Sequence, residues 1–204
     1  QGEGAGGAST IEALGKSRQP AALPAVTAKL KDRRPEVRAA AVDAVAALGG
    51  PAVAAQLRTM LNDQNGFVAV RAAKALFDLN DPAGAPLLTS LLSLDFPPAT
   101  RLMGVEAMAS RPTPAWVEAT RGLAQSGPAE VRLGAAQLLV PHDPATAAQT
   151  FDALAGDNNL AIREVASRKQ AESVTNLSVL RTLLRSPDRL TRVAAAGRIS
   201  DLTR

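Results

Sequence analysis

No cysteine occurs in the 204 residues, nor any tyrosine, and there is a single tryptophan and a single histidine. The missing thiols exclude disulfides, thiolate metal sites and a cysteine nucleophile, and they are compatible with either redox compartment. Aromatic residues make up only 2% of a chain that is 46% hydrophobic. Such a core has to be assembled from Ala, Leu and Val, which suits closely packed helices and fits a sheet sandwich badly. An all-α fold is therefore expected. By inspection no apolar run approaches the roughly 20 residues needed to cross a bilayer, so no membrane span is expected. Acids and bases nearly balance, 23 Lys and Arg against 19 Asp and Glu giving a net charge of +4. Strong nucleic-acid binders concentrate positive charge far more heavily, which disfavours nucleic acid as a partner.

Groups that catalysis depends on are equally scarce. His142 lies in Pro141-His142-Asp143-Pro144, a turn between helical stretches, where a lone histidine is ordinarily a surface residue. No HExxH, GxGxxG, Walker-type or GxSxG arrangement occurs, so phosphate-cradling and nucleophile-elbow chemistry have no anchor. The sequence predicts no catalytic residues, no metal ligands, no cofactor and no enzyme activity.

What the chain does contain is a repeat. Lys31-Asp32, Val37, Ala44, Leu48 and Pro51 have counterparts 31 places later in Asn62-Asp63, Val68, Ala75, Leu79 and Pro82. A period of about 30 to 47 residues with two apolar helical stretches per unit is the signature of stacked helical hairpins, neither half of which could bury its apolar side alone. Each unit reads as helix A, a turn carrying Asp, helix B opening with a β-branched residue and Arg, then a break rich in Gly, Asn, Asp and Pro. Units are expected at about 20–50, 51–81, 82–111, 112–143, 144–172 and 173–204, within an array over 11–204. The segment from Ile11 to Gly15 resembles the end of a further helix B. Residues 1–10, beginning Gln1-Gly-Glu-Gly-Ala-Gly-Gly, read as a flexible glycine-rich lead-in. A start at Gln1 without Met fits removal of an export signal and equally a segment cut from a longer chain, with a slight lean towards a periplasmic or secreted protein and a cytoplasmic one as the alternative.

A turn Asp, then Val-Arg, then small residues and a Leu is the pattern of HEAT repeats, and the chain resembles that family from about Pro20 to Leu202, including its short variety in phycobilisome lyases. Asp32/Arg38, Asp95/Arg101 and Asp157/Arg163 all stand six apart, and Ser126/Arg132 keeps the spacing. Unit two departs, with Ala69 at the Arg position, and Asp188 and Arg192 are only four apart, which predicts a distorted last unit. The resemblance implies a right-handed α-solenoid of about six stacked hairpins and a structural ladder in which each Arg faces an Asp of its own or a neighbouring unit. A phosphate-binding stripe of these arginines is the competing reading. HEAT-like arrays also occur in phycobilin lyases and alkylpurine DNA glycosylases, which keeps a lyase-accessory or glycosylase-type DNA-binding role as minor alternatives.

Counted from the Arg at about 100° per residue, positions one, five and eight places on point away from the buried side of helix B. These columns should line the inner curve of the superhelix. They bring together Val70, Lys74, Phe77, Leu102, Glu106, Leu133, Gln137 and Val140 in units two to four. Contiguous exposed apolar surface usually marks a partner site, so this set is the candidate contact surface for a protein or peptide. The opposing reading is that adjacent B helices bury these side chains against each other. The expected function is a protein-binding scaffold. A structural or self-assembling module is the alternative, since Leu180, Leu184, Ile199 and Leu202 sit in a last unit without an obvious polar cap. A monomer or weak self-association is expected.

Overall fold

The computed structural model describes residues 3–203, and every regular element among them is helical. Two compact units divide the chain, Gln1–Ser93 and Leu94–Arg204. The first holds α1 (Glu3–Ser17), α2 (Leu23–Ala28), α3 (Pro35–Gly49), α4 (Ala54–Thr59), α5 (Gly66–Asp78) and α6 (Ala85–Ser90), with 3-10 turns flanking α2 and α4. The second holds α7 (Pro98–Met108), α8 (Pro114–Gln125), α9 (Ala129–Leu139), α10 (Pro144–Leu154), α11 (Leu160–Ser173), α12 (Leu177–Leu183) and α13 (Arg189–Leu202). In the first unit the long B helices α1, α3 and α5 alternate with the short helices α2, α4 and α6 and pack side by side. In the second, α7, α9, α11 and α13 also pack side by side, with α8, α10 and α12 behind them. The chain is thus all-α and of the α-solenoid class. The division at Ser93 falls within the hairpin expected at 82–111.

Local chemistry sets the helix starts. Pro35, Pro98, Pro114 and Pro144 occupy first turns, where their missing N–H costs nothing. Asn65, Thr113, Asp143, Asn159, Asn176 and Asp188 accept N–H groups of the following turn as N-caps. Helix α11 continues through the polar stretch Ser167-Arg168-Lys169-Gln170, because Ile162, Ala166 and Ala171 keep one side of it buried.

Alanine and valine dominate the first core, where Val26, Val37, Ala41, Val42, Val45, Leu57, Val68 and Leu76 have no exposed surface. In the second unit Trp116, Leu123, Leu139, Phe151 and Leu154 are the largest fully buried side chains besides Leu180. Trp116 donates its indole N–H to the Val105 carbonyl at 2.7 Å, which satisfies the one polar atom that ring brings into the interior.

Two expectations need correction. Residues 3–10, expected as a flexible lead-in, belong to α1, which lies on α3. Its glycines serve close approach: a Cβ on Gly15 would come within 2.9 Å of the Ala44 Cα, a distance at which something would have to move. The 28-residue stretch Pro35–Asn62, which contains an 18-residue window with a mean hydropathy of 1.4, is also long and apolar enough by composition to cross a membrane, contrary to the inspection of the sequence. In the fold it is bent at Gly50, whose φ is +53°, followed by Pro51, so that α3 and α4 are separate rods. At about 1.5 Å per residue α3 alone falls short of a hydrocarbon core about 30 Å thick, and its apolar residues are already buried against α1, α2 and α5.

One ion pair is enclosed by the first core. Arg38 Nε and Nη2 donate to the two Asp63 oxygens at 2.7 and 2.8 Å, with 7% and 6% of the two side chains exposed. Removing one partner strands a buried charge, which typically costs about 3 to 5 kcal/mol, whereas replacing both with apolar groups of similar volume does not. Asp63→Ala is therefore expected to destabilise the chain by about 3 kcal/mol in urea unfolding, and Arg38→Met/Asp63→Leu by clearly less.

Candidate interaction surface on the B helices

The recurring arginine is first a tie within its own hairpin. Arg38 Nη1 donates to the carbonyls of Asp32 and Arg33, Arg163 Nη1 to that of Asp157, and Arg192 Nη1 to those of Ser186 and Pro187. In each case the guanidinium reaches back six residues to the A–B turn. The turn residue in turn accepts the N–H two places on: Asp32 from Arg34, Asp63 from Asn65, Asp157 from Asn159, and Ser186 from Asp188. Ser186 is thus the counterpart of the turn Asp, and Asp188 is the helix cap. The last hairpin keeps the common register, against the expectation of distortion. Carboxylate pairing is less regular than the ladder expected. Asp32 pairs with Arg34 rather than Arg38, and the Nε atoms of Arg101 and Arg132 are buried without an acceptor. These engagements also weaken the phosphate-stripe reading, since the Arg38, Arg163 and Arg192 donors serve the fold.

A second ladder escaped the sequence reading. Arg58 on α4 pairs with Asp81 at 2.5 Å, and Arg121 on α8 with Asp143 at 2.8 Å. Each arginine stands five places before a turn residue, Asp63 or Ser126, and each aspartate lies in the break after the following B helix. That shared offset was the signal available in the sequence. Asp81 also accepts the Ala83 N–H, and Asp143 accepts the Thr146 N–H and hydroxyl, so one carboxylate secures two segments.

The outward columns of helix B separate into filled and open positions. In the first unit Val70 and Phe77 are 9% and 6% exposed, so the apolar half of the candidate surface there is core. Close side-by-side packing of α1, α3 and α5 explains this, and it corrects the expectation that both residues are available to a partner. Lys74 is exposed and pairs with Asp78 one turn along its own helix, while Asp43 pairs with Arg71 across to α5. In the second unit Leu102 is half-buried against α9, where a Cβ on Gly134 would sit 3.0 Å from it. Leu133 is half-buried on the cluster of Leu154, Ile162 and Ala166. Glu106 and Gln137 are exposed, and Val140 is 41% exposed.

Gln137 and Val140 border a cleft of about 500 Å³, completed by Pro141, Phe151, Lys169, Glu172 and Ser173. Lys169 and Glu172 form an ion pair of 2.7 Å at its edge. Nearby, His142 meets the Trp116 ring edge to face, with centroids 5.3 Å apart. Among the described residues no three His, Asp or Glu side chains converge as a metal site would require.

Residues 7–77 match the family model of HEAT repeats, which spans α1 to α5 almost completely. That stretch of the first unit is similar to HEAT repeats. The match is to HEAT repeats as a class and does not distinguish the short phycobilisome-lyase variety. No curated protein matches the chain. Among solved structures the chain is similar to human deoxyhypusine hydroxylase in complex with glycerol, at 19% identity over 97% of this chain and 79% of that one, with a TM-score of 0.39. That protein is an enzyme by name, so the exclusion of enzyme activity drawn from the sequence does not stand. No residue role is carried over from it.

Several carboxylates of these ties are held well below the ordinary range. The Arg34 side chain brings Asp32 down to about 2, and Arg121, with help from Thr146, brings Asp143 down to about 2. Arg38 lowers Asp63, Arg58 lowers Asp81, and the hydrogen bonds from Thr191 lower Asp188. A carboxyl whose folded value lies below its unfolded value, near 3.8 here, adds stability above that value and loses it as pH falls through the folded one. The urea midpoint is therefore expected to stay level from about pH 7 to about pH 5 and to fall between about pH 4 and pH 2. Asp32→Asn/Asp143→Asn should flatten that fall, as followed by circular dichroism.

Proposed function

We propose that this chain is a protein-binding scaffold that holds a peptide or protein partner against the outward face of its B helices, at the cleft beside α9 and α11. The observation that carries this reading is Val140. At the same register in the first unit Phe77 is buried, whereas Val140 is 41% exposed and borders an open cleft. An accessible apolar anchor flanked by an amide, Gln137, and by the Lys169–Glu172 pair has the make-up of an interface patch, with an apolar centre and a polar rim. Leu102 and Leu133 add half-exposed apolar surface on the neighbouring helices, and Glu106 adds a charge. The volume suits one or two anchoring side chains of a partner.

Selection of peptides from a display library on the intact chain tests this. Binders are expected to lose at least about tenfold in affinity on Val140→Asp, read by fluorescence anisotropy, equivalent to about 1.4 kcal/mol. Val193→Asp should leave their affinity unchanged. Binders indifferent to both Val140→Asp and Gln137→Ala would overturn the assignment.

A further inference from the structure

The second arginine ladder has a third member. Arg181 on α12 stands five places before Ser186, as Arg58 stands before Asp63 and Arg121 before Ser126. The two earlier arginines are met by an aspartate 23 and 22 residues further on. At those distances from Arg181 the sequence has Arg204 and Thr203, neither of them an acid. Arg181 is exposed, and its side chain has no partner among the described residues.

The surface beside it is apolar and strongly basic. On α13, Leu190, Val193, Gly197 and Ser200 recur along one side, opposite Thr191, Ala195 and Ile199, which face the body of the unit. Leu190 and Val193 are 54% and 60% exposed, although Ala39 and Val70, at the register of Val193, are buried in the first unit. Gly197 has open space beyond its Cα, so a helix could approach this stripe closely. Residues 174–203 carry Arg181, Arg185, Arg189, Arg192 and Arg198 against two acids, Asp188 and Asp201, the latter exposed near the end of α13. Asp188 is spent on capping α13, and Arg192 and Arg198 donate to backbone carbonyls. Arg185 and Arg189 are exposed, with no side-chain partner among the described residues.

We propose that this side of α12 and α13 docks an acidic amphipathic helix of a partner protein, whose N-terminal Asp or Glu takes Arg181 as Asp81 takes Arg58 and Asp143 takes Arg121. Charge complementarity selects the partner. An apolar stripe on the incoming helix covers Leu190 and Val193, and carboxylates on its flanks meet Arg181, Arg185 and Arg189. In the Asp143 rung the receiving carboxylate also caps its own helix, so a first-turn Asp in the partner would serve both purposes.

The probe is a synthetic amphipathic helical peptide with a Leu/Ala stripe, Asp at its N-cap and Glu on its flanks. Its control carries Lys in place of every acid. Fluorescence anisotropy with the full chain should show the acidic peptide binding, the Lys peptide not binding, and affinity falling as salt is raised. Val193→Asp and Arg181→Glu should each weaken binding at least about tenfold, about 1.4 kcal/mol, with helix content unchanged. Exchanging the peptide's N-cap Asp for Lys should restore binding to the Arg181→Glu chain. Val140→Asp should have no effect, which separates this face from the cleft at α9. Equal binding of both peptides, no binding of the acidic one, or a concentration-dependent dimer abolished by Val193→Asp would overturn the proposal; the last would give the face to a second copy of the chain.

Discussion

A guanidinium stays charged at any pH the chain meets, offers five donors and accepts nothing, so wherever it is drawn towards a protein interior its surroundings must supply oxygens. In this chain the A–B turns supply them. Their carbonyls are left over when helix A ends, and the arginine six residues into the next segment collects them in α3, α11 and α13. The turn is thereby closed on the helix it introduces, which ties the turn to helix B within the hairpin. Arg38 goes further and takes the turn carboxylate of the next hairpin, which locks two successive layers in register.

The remaining features follow from how completely each layer covers the one before it. In the first unit α1, α3 and α5 lie so close that small residues are required between them, and Gly15 over Ala44 is the clearest instance. That closeness turns Val70 and Phe77 into core. In the second unit the packing is less complete around the end of α9, where Val140 and Gln137 stand beside a cleft. Positions of the same register differ in fate because what neighbours them differs.

Much of this was legible in the sequence. The interval between Asp32 and Asp63, the proline at most breaks and the near absence of aromatics point to stacked helices, because those features depend on backbone chemistry that acts over a few residues. The position of the recurring arginine was legible for the same reason, although its partner was not. Asp32 lies six places before Arg38 and invites pairing, yet Arg38 binds the Asp32 carbonyl and leaves its carboxylate to Arg34. Which oxygen of a residue accepts is a matter of angles that spacing does not encode. The Gly-rich start misled because glycine serves both flexible chain and close helix contact, and only the presence of α3 beneath it decides between them.

The sequence by itself determined the helical hairpins, their period, the caps that begin them and the charges they carry, all of which follow from interactions between residues a turn or two apart. Tertiary structure alone decided that Phe77 is buried and Val140 open, that Arg58 and Arg121 find aspartates more than 20 residues away, and that Ser186 rather than Asp188 is the turn residue of the last hairpin. The physical reason is that helical periodicity tells which residues share a face but not how near the next helix lies. A difference of one side chain in that distance separates core from surface.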